Sequence, residues 1–162
     1  MAEIVYKTGS PTEFTQAEKA TFRDLLIKQG KVRNPTVQKV ERCVWLCVCK
    51  VDGQIVSIGA IKPATKSDFD KDHAQLEKLA KDFTLELGYC FTEPDHTRKG
   101  YSSTVVNFLL ENQKTNLIAS TELRNDNGMI YVLQKFGFKQ YGKPWKSVIH
   151  GGLLGLYLRI IK

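Results

Sequence analysis

Several features are missing from this 162-residue sequence, and their absence narrows the possible functions. No run of about 18 or more apolar residues occurs, which excludes a membrane-spanning helix. The segment Met1–Tyr6 has neither a basic leader nor a long apolar stretch, so we expect no signal peptide and a cytoplasmic protein that does not bind membranes. No internal repeat, low-complexity tract or linker occurs, which predicts a single domain over residues 1–162.

The sequence has four cysteines but no Cys-x-x-Cys pair and no His-x-x-x-His partner, which argues against a zinc site. We therefore expect no bound metal. In an extended segment Cys43, Cys47 and Cys49 would share one face. Their spacing is poor for a disulfide within the strand, so we interpret them as small buried residues in a reducing compartment.

Charge is the next constraint, because 24 Lys and Arg residues oppose 17 Asp and Glu residues, a formal net charge of +7. Such a balance favours an anionic partner, although a solvated basic surface explains it equally well. The basic residues are scattered rather than clustered in the sequence, which disfavours nucleic acid as that partner.

Hydrophobic periodicity and turn residues predict a regular alternation of strands and helices. The order β-α-α-β-β-β-α-β-α-β-β predicts an α/β fold, in which helices flank both faces of a mixed β-sheet of about seven strands. The predicted elements are a strand at 2–7, a helix from the capping sequence 10–13 to Gly30, a short helix at 35–42, a hairpin of 43–51 and 54–61 around Asp52-Gly53, a strand at 83–91, a helix at 100–113, a strand at 117–123, a helix at 127–136 closed by Gly137, and strands at 138–142 and 153–161. A polar connection at 64–82, with a short helix around 76–80, and a loop at 142–152 holding Trp145 and His150 complete the chain.

The stretch from Glu86 to Glu111 is the most informative, because a strand runs into a polar loop that leads directly into a helix. The start of a helix presents unpaired backbone N–H groups and the positive end of the helix dipole, which together bind phosphate. Gly100 allows the backbone to approach a ligand closely, and Arg98 and Lys99 add positive charge. The loop matches neither the P-loop nor the Gly-x-Gly-x-x-Gly pattern, which disfavours a nucleoside triphosphatase and a Rossmann enzyme.

The segment Thr97-Arg98-Lys99-Gly100-Tyr101-Ser102 resembles the acetyl-CoA motif of the GNAT superfamily, Arg/Gln-x-x-Gly-x-Gly/Ala. Two positions depart from that pattern: Thr97 replaces Arg or Gln, and Ser102 replaces a small residue. Backbone contacts survive both changes. Asp126–Phe138, ending in Gly-Phe, resembles the later helix of the family, and the element order matches over essentially the full chain.

This resemblance implies an acetyl-CoA-dependent N-acetyltransferase, with acetyl-CoA as co-substrate and a small-molecule or peptide amine as acceptor. In the family, backbone amides of the loop hold the CoA pyrophosphate, and the preceding strand pairs with the pantetheine arm. The cofactor-binding residues that it implies are Tyr89, Cys90, Phe91, Thr92, Thr97, Arg98, Lys99, Gly100, Tyr101, Ser102, Ser103 and Asn127. We expect a monomer or homodimer, with acceptor specificity in the segments 30–42, 64–82 and 142–152.

Glu86 is the leading candidate for the catalytic base. Strand alternation places it on the face opposite Leu85 and Leu87, and a carboxylate at mid-strand is costly to bury unless it is paired or used. In the histone-acetyltransferase branch of the family, a general-base glutamate lies eleven residues before the first motif position, which corresponds to Glu86. The alternatives are a structural carboxylate at Glu86 and a base at Glu93.

A proton donor for the departing thiolate is harder to assign. Many family members carry a tyrosine four residues before the glycine of Gly-Phe, and this position is Leu133 here. Tyr131 is two residues away, so it should face a different side of the helix. The proton could come from Tyr101, Tyr141 or a water molecule, or the thiolate could leave without a dedicated acid. Cys90 could form an acyl-enzyme only with an activating histidine, and none is fixed nearby in the sequence. His96 could contact the cofactor and His150 the acceptor, although exposed loop positions explain both.

Two other functions compete with this one. A non-catalytic acyl-CoA-binding module on the same fold would account for Leu133 and Thr97. An RNA-associated acetyltransferase would account for the net charge of +7 and would bind RNA with strong salt dependence.

Overall fold

The computed structural model describes residues 1–111 and 113–161. Its strands are β1 (Ile4–Gly9), β2 (Trp45–Val51), β3 (Gln54–Pro63), β4 (Leu85–Thr92), β5 (Leu117–Glu122), β6 (Lys139–Lys146) and β7 (Leu153–Arg159). Its helices are α1 (Gln16–Gln29), α2 (Val37–Glu41), α3 (Tyr101–Leu110) and α4 (Gly128–Lys135), with 3-10 turns at Pro11–Glu13, Lys66–Phe69, Glu77–Asp82 and Pro94–His96. The predicted helix at 100–113 ends earlier, at Leu110, and residue 112 lies outside the described residues. No helix in the described part of the chain is long and apolar enough to cross a membrane.

Seven strands form one sheet in the order β1-β2-β3-β4-β5-β7-β6. Strands β4 and β5 are parallel, whereas β1–β2, β2–β3, β5–β7 and β6–β7 are antiparallel pairs. The predicted mixed sheet is therefore confirmed.

The first helix begins later than the sequence predicts. The capping residues Ser10 and Glu13 close only the 3-10 turn Pro11–Glu13. A second capping box starts α1, because the Thr15 N–H donates to Glu18 Oε1 at 2.8 Å and the Glu18 N–H donates to Thr15 Oγ1 at 3.1 Å. The helix ends as predicted at Gly30, which adopts a left-handed conformation with φ of 73°.

The hairpin β2–β3 forms around Asp52 and Gly53, whose φ angles are 49° and 82°. The prediction that three cysteines share one face of the strand is wrong for Cys43. This residue precedes β2 and packs in the cluster that contains Leu46 and Val48. All three of these cysteines are buried, as predicted.

By its internal contacts the chain divides into two compact units, so the predicted single domain stays a prediction. The first comprises Met1–Lys62 and Gly88–Gln113. In it, α1 and α2 pack on the sheet face that carries Leu46, Val48, Ile58 and Ala60. On the opposite face α3 lies so close to β3 that a Cβ at Gly59 would be 2.9 Å from Leu109 Cδ1. Helices thus cover both faces of this half of the sheet.

The second unit comprises Pro63–Leu87 and Lys114–Lys162. The connection between β3 and β4 contains two 3-10 turns rather than the predicted loop with one short helix. It packs onto the sheet through a buried cluster of Phe69, Ala74, Phe83, Ile118, Trp145, Leu156 and Leu158. Trp145 therefore lies in β6 and not in a loop as predicted, because β6 continues past an irregularity between Tyr141 and Trp145.

Candidate active site

The segment that joins β4 to α3 starts at residues that are hydrogen-bonded to β3. The Glu93 N–H donates to the Val56 carbonyl of β3 at 2.8 Å. The hydroxyls of Ser57 and Thr92 lie 2.7 Å apart, and Ser57 is fully buried. The end of β4 is thereby fastened to β3 before the chain enters the loop.

The loop itself has two residues in the left-handed region, Arg98 with φ of 63° and Gly100 with φ of 80°. Residues 97–100 are exposed, and Thr97 Oγ1 donates to the Pro94 carbonyl at 3.0 Å. Because a non-glycine residue rarely adopts a positive φ, Arg98 marks a loop conformation that its surroundings must stabilise.

Helix α3 begins at Tyr101, and its N-cap residue, Gly100, provides no side-chain cap. The Thr104 N–H donates to the Gly100 carbonyl at 3.1 Å, so the N–H groups of Tyr101 and Ser102 precede this first helical bond. A Cβ built on Gly100 would meet no atom within 4 Å. The helix start is therefore open to a ligand, as an anion site requires.

Tyr101 anchors this helix start, because its side chain is only 8% exposed. Its ring faces the His96 ring, with 6.4 Å between centroids. Within the described residues, His96 Nδ1 is buried without a hydrogen-bond partner. His96 thus lies against the loop rather than projecting into solvent.

Strand β4 contains an irregularity that the sequence analysis missed. Tyr89 has a φ of 58°, so the predicted strict alternation of side chains along 84–92 is interrupted at this residue. Tyr89 and Phe91 pack against the cluster beneath α1, and Lys62 Nζ lies 5.3 Å from the centre of the Tyr89 ring. Cys90 Sγ is 3.3 Å from a Cβ built on Gly59. Tyr89 has no sequence signal for this conformation, since the adjacent Gly88 would be the usual residue for it.

The parallel ladder between β4 and β5 is short. Among the described residues it consists of the pairs Leu85–Leu117 and Glu86–Ile118. Glu86 is thus part of the last paired position in this ladder, three residues before Tyr89.

Glu86 is 7% exposed, and its Oε1 accepts the Thr65 N–H at 2.8 Å. Thr65 belongs to the connection between β3 and β4, whose first residue is held by a hydrogen bond from the Ala64 N–H to the Thr84 carbonyl. The buried carboxylate therefore has a backbone donor. This contact agrees with a structural role for Glu86.

The second-choice base, Glu93, forms an ion pair with Lys28 of α1 at 2.9 Å. Gln29, which follows Lys28 in α1, contacts β4 directly, because its Nε2 donates to the Cys90 carbonyl at 3.0 Å. No sequence signal points to this contact of Gln29, since Gln29 and Cys90 are 61 positions apart.

Asn127, for which the resemblance implies a cofactor contact, is the N-cap of α4. Its Oδ1 accepts the Met129 N–H at 3.0 Å, and its Nδ2 donates to Thr121 Oγ1 and to the Glu122 carbonyl. Both ends of this amide are therefore engaged within the chain. Its role toward a cofactor stays a prediction.

Tyr131 and Leu133, the residue at the position of the usual tyrosine, differ in burial. Leu133 is fully buried and Tyr131 is 70% exposed, which confirms that Tyr131 faces another direction. Tyr131 and Asn127 border an open groove of about 450 Å³. Its other lining residues are Leu123, Arg124, Asn125, Ile130, Gln134, Gln140 and Tyr157. Burial raises the pKa of Tyr157 above its ordinary value.

His150 and Trp145 are both tied into their own surroundings. His150 Nδ1 accepts the Gly152 N–H at 3.1 Å in the exposed β6–β7 turn. The Trp145 ring packs edge-on against His73, with 5.3 Å between centroids. In the part of the chain that the structure describes, no group of three or more His, Cys, Asp or Glu side chains is placed to hold a metal ion.

Known protein families and curated sequences give no match to this chain. Several solved structures match its fold. The chain has a TM-score of 0.66 with the GNAT-family acetyltransferase of Streptococcus pneumoniae, at 13% identity over 99% of this chain and 100% of the other. The TM-score is 0.70 with Arabidopsis thaliana NAA60 in complex with a bisubstrate analogue, at 7% identity over 99% of both chains. It is 0.63 with yncA from Salmonella typhimurium with its cofactor acetyl-CoA, at 11% identity over 98% and 94%.

The chain has the GNAT fold. The predicted resemblance and fold class are thereby confirmed, at sequence identities that carry the fold alone. This result does not test the predicted site residues, and their roles stay predictions.

Proposed function

We propose that this chain is an N-acetyltransferase that moves the acetyl group of acetyl-CoA to an amine. The observation that supports this most strongly is the open start of α3 at Gly100, directly after a strand with a left-handed residue at Tyr89. Strained residues cluster at functional sites, and a helix start without a cap is a site for phosphate.

The cofactor would be held at two places. The N–H groups of Tyr101 and Ser102, with the charges of Arg98 and Lys99, would bind the pyrophosphate. The backbone of β4 would bind the pantetheine arm. The Glu93 N–H points to β3, so the alternation of an extended strand directs the backbone groups of Cys90 and Thr92 to the opposite edge.

The reaction would proceed by direct attack of a neutral amine on the thioester carbonyl. A C–N bond forms as the C–S bond breaks, the amine proton passes to Glu86 directly or through water, and the thiolate leaves. A thiol pKa of about 8.5 makes that thiolate a fair leaving group without a dedicated acid. This accommodates the buried Leu133 at the position of the usual tyrosine. A carboxylate can accept several hydrogen bonds, so the contact of Glu86 with Thr65 is compatible with this role.

The acceptor would be an amine on a small molecule or a peptide. This proposal is supported by NAA60, which has a similar fold and was solved in complex with a bisubstrate analogue. The second candidate, a non-catalytic acyl-CoA-binding module, is favoured by one observation, the buried Leu133.

The test is a screen of polyamines, amino acids, aminoglycosides and short peptides for acetyl-CoA-dependent thiol release, with products identified by mass. Cofactor binding is measured in parallel by calorimetry. Release with an acetylated product supports the enzyme. Binding without release from any amine would indicate the non-catalytic module, and the absence of binding would reject both.

A further inference from the structure

Tyr89 occupies a conformation that needs support. A left-handed backbone is unfavourable for a residue with a side chain, so the surrounding contacts must hold it. Two contacts act on the ring itself, which packs against the cluster beneath α1 and lies under Lys62 Nζ. Neither of them acts on the backbone that follows, where the strand would meet the thioester.

That backbone contact comes from the last residue of α1. Gln29 Nε2 donates to the Cys90 carbonyl at 3.0 Å. Helix α1 is itself rigidly placed, because Leu25 and Leu26 are buried and Gly30 closes the helix with its N–H on the Leu26 carbonyl. Since a peptide group is planar, a fixed carbonyl at Cys90 also fixes the N–H of Phe91 and limits rotation about the Cα–C bond of Cys90, the residue after Tyr89.

We infer that Gln29 is a positioning residue for acetyl transfer, which acts through the Cys90 carbonyl to hold the segment of β4 that follows Tyr89 in its reactive shape. This inference rests on the proposed function. A carbonyl oxygen can accept two hydrogen bonds, so the contact with Gln29 is compatible with a further bond to an amide of the pantetheine arm. Gln29 would thereby set the angle at which the thioester meets the amine without touching either reactant.

The test replaces Gln29 by methionine, which has a similar length but cannot donate to the carbonyl. We expect kcat to fall by about 10- to 100-fold, because small displacements of a reacting group are costly. The Kd for acetyl-CoA should change by less than about threefold, because the loop at Gly100 is untouched. A Gln29→Arg variant restores a donor without adding a nucleophilic amine and should recover part of the rate. The matched control is Gln54→Met, which makes the same change at an exposed residue of β3.

The outcomes separate cleanly. Full activity in Gln29→Met overturns the inference, as does a Gln29→Arg variant no faster than Gln29→Met. A parallel loss of cofactor binding and thermal stability in Gln29→Met would also overturn it, since the contact would then be merely structural. Failure of the unsubstituted protein to release thiol from acetyl-CoA with any amine rejects the proposed function instead, and with it the basis of this inference.

Discussion

The Glu86 carboxylate and the Thr65 backbone are joined by a 2.8 Å hydrogen bond, with Thr65 as the donor. This bond connects the middle of β4 to the segment that follows β3, and it makes the burial of Glu86 tolerable. The same carboxylate is the proposed base. A structural role and a catalytic role therefore fall on one side chain, and an experiment has to separate them.

Glu86→Gln makes that separation, because the amide oxygen of glutamine can still accept the Thr65 N–H while the charge and basicity are lost. We expect kcat to fall about 100-fold or more, the usual effect of removing a general base. Acetyl-CoA affinity and thermal stability should stay close to those of the unsubstituted protein. The matched control is Glu3→Gln, at an exposed position that precedes β1. Retained activity with reduced stability would assign Glu86 a structural role only.

Gly100 and Gly53 form a natural matched pair for testing the loop. Both are left-handed, with φ of 80° and 82°, and a Cβ at either would meet no atom within 4 Å. Alanine at either position should lower stability by about 1 kcal/mol through backbone strain. Only Gly100→Ala should also weaken acetyl-CoA binding, by about tenfold, because its Cβ would obstruct the approach of the backbone to phosphate. Calorimetric titration of both variants measures this, and equal affinities would exclude the loop as the pyrophosphate site.

Some of these features could be predicted from the sequence alone and others could not. Gly30, Gly53 and Gly137 marked their turns correctly, because the conformation at a turn depends on the residue itself. The start of α3 was predictable for the same reason. The contacts that shape the site were not, since Thr65 and Glu86 are 21 positions apart and Gln29 and Cys90 are 61 apart. Only the folded sheet brings these pairs together.

The thiols should differ sharply in reactivity. Burial raises the pKa of Cys43 and of Cys47 to about 12, and it also raises the pKa of Cys49. Because the thiolate is the reacting form, these three should react very slowly with iodoacetamide at pH 8. Cys90 is half-buried in β4 and should be alkylated first, as mapped by peptide mass. Acetyl-CoA should slow that reaction if β4 binds the pantetheine arm, and Cys90→Ser should abolish the fast phase. Rapid labelling at Cys47 would contradict this prediction.

Glu18 should make stability depend on acid pH. Partial burial raises its pKa, but hydrogen bonds from Lys50, Lys7 and the Thr15 N–H outweigh that effect and lower the pKa from 4.5 to about 2. The Nζ atoms of Lys50 and Lys7 lie 2.6 and 2.7 Å from its two oxygens. A lowered pKa in the folded state means that the charged carboxylate stabilises the fold above pH 4.5, and that this contribution is lost as the pH falls toward about 2.

Glu18→Gln isolates this charge, because glutamine at the same position of a capping box can still accept the Thr15 N–H. We expect the variant to be less stable by about 2 kcal/mol at pH 7. This difference in stability should shrink as the pH falls toward about 2. Urea unfolding of both proteins at pH 7, 4.5 and 3 measures the trend, with Glu77→Gln as the exposed control. A difference that is independent of pH would show that packing around residue 18, and not its charge, stabilises the junction of α1 with β1 and β2.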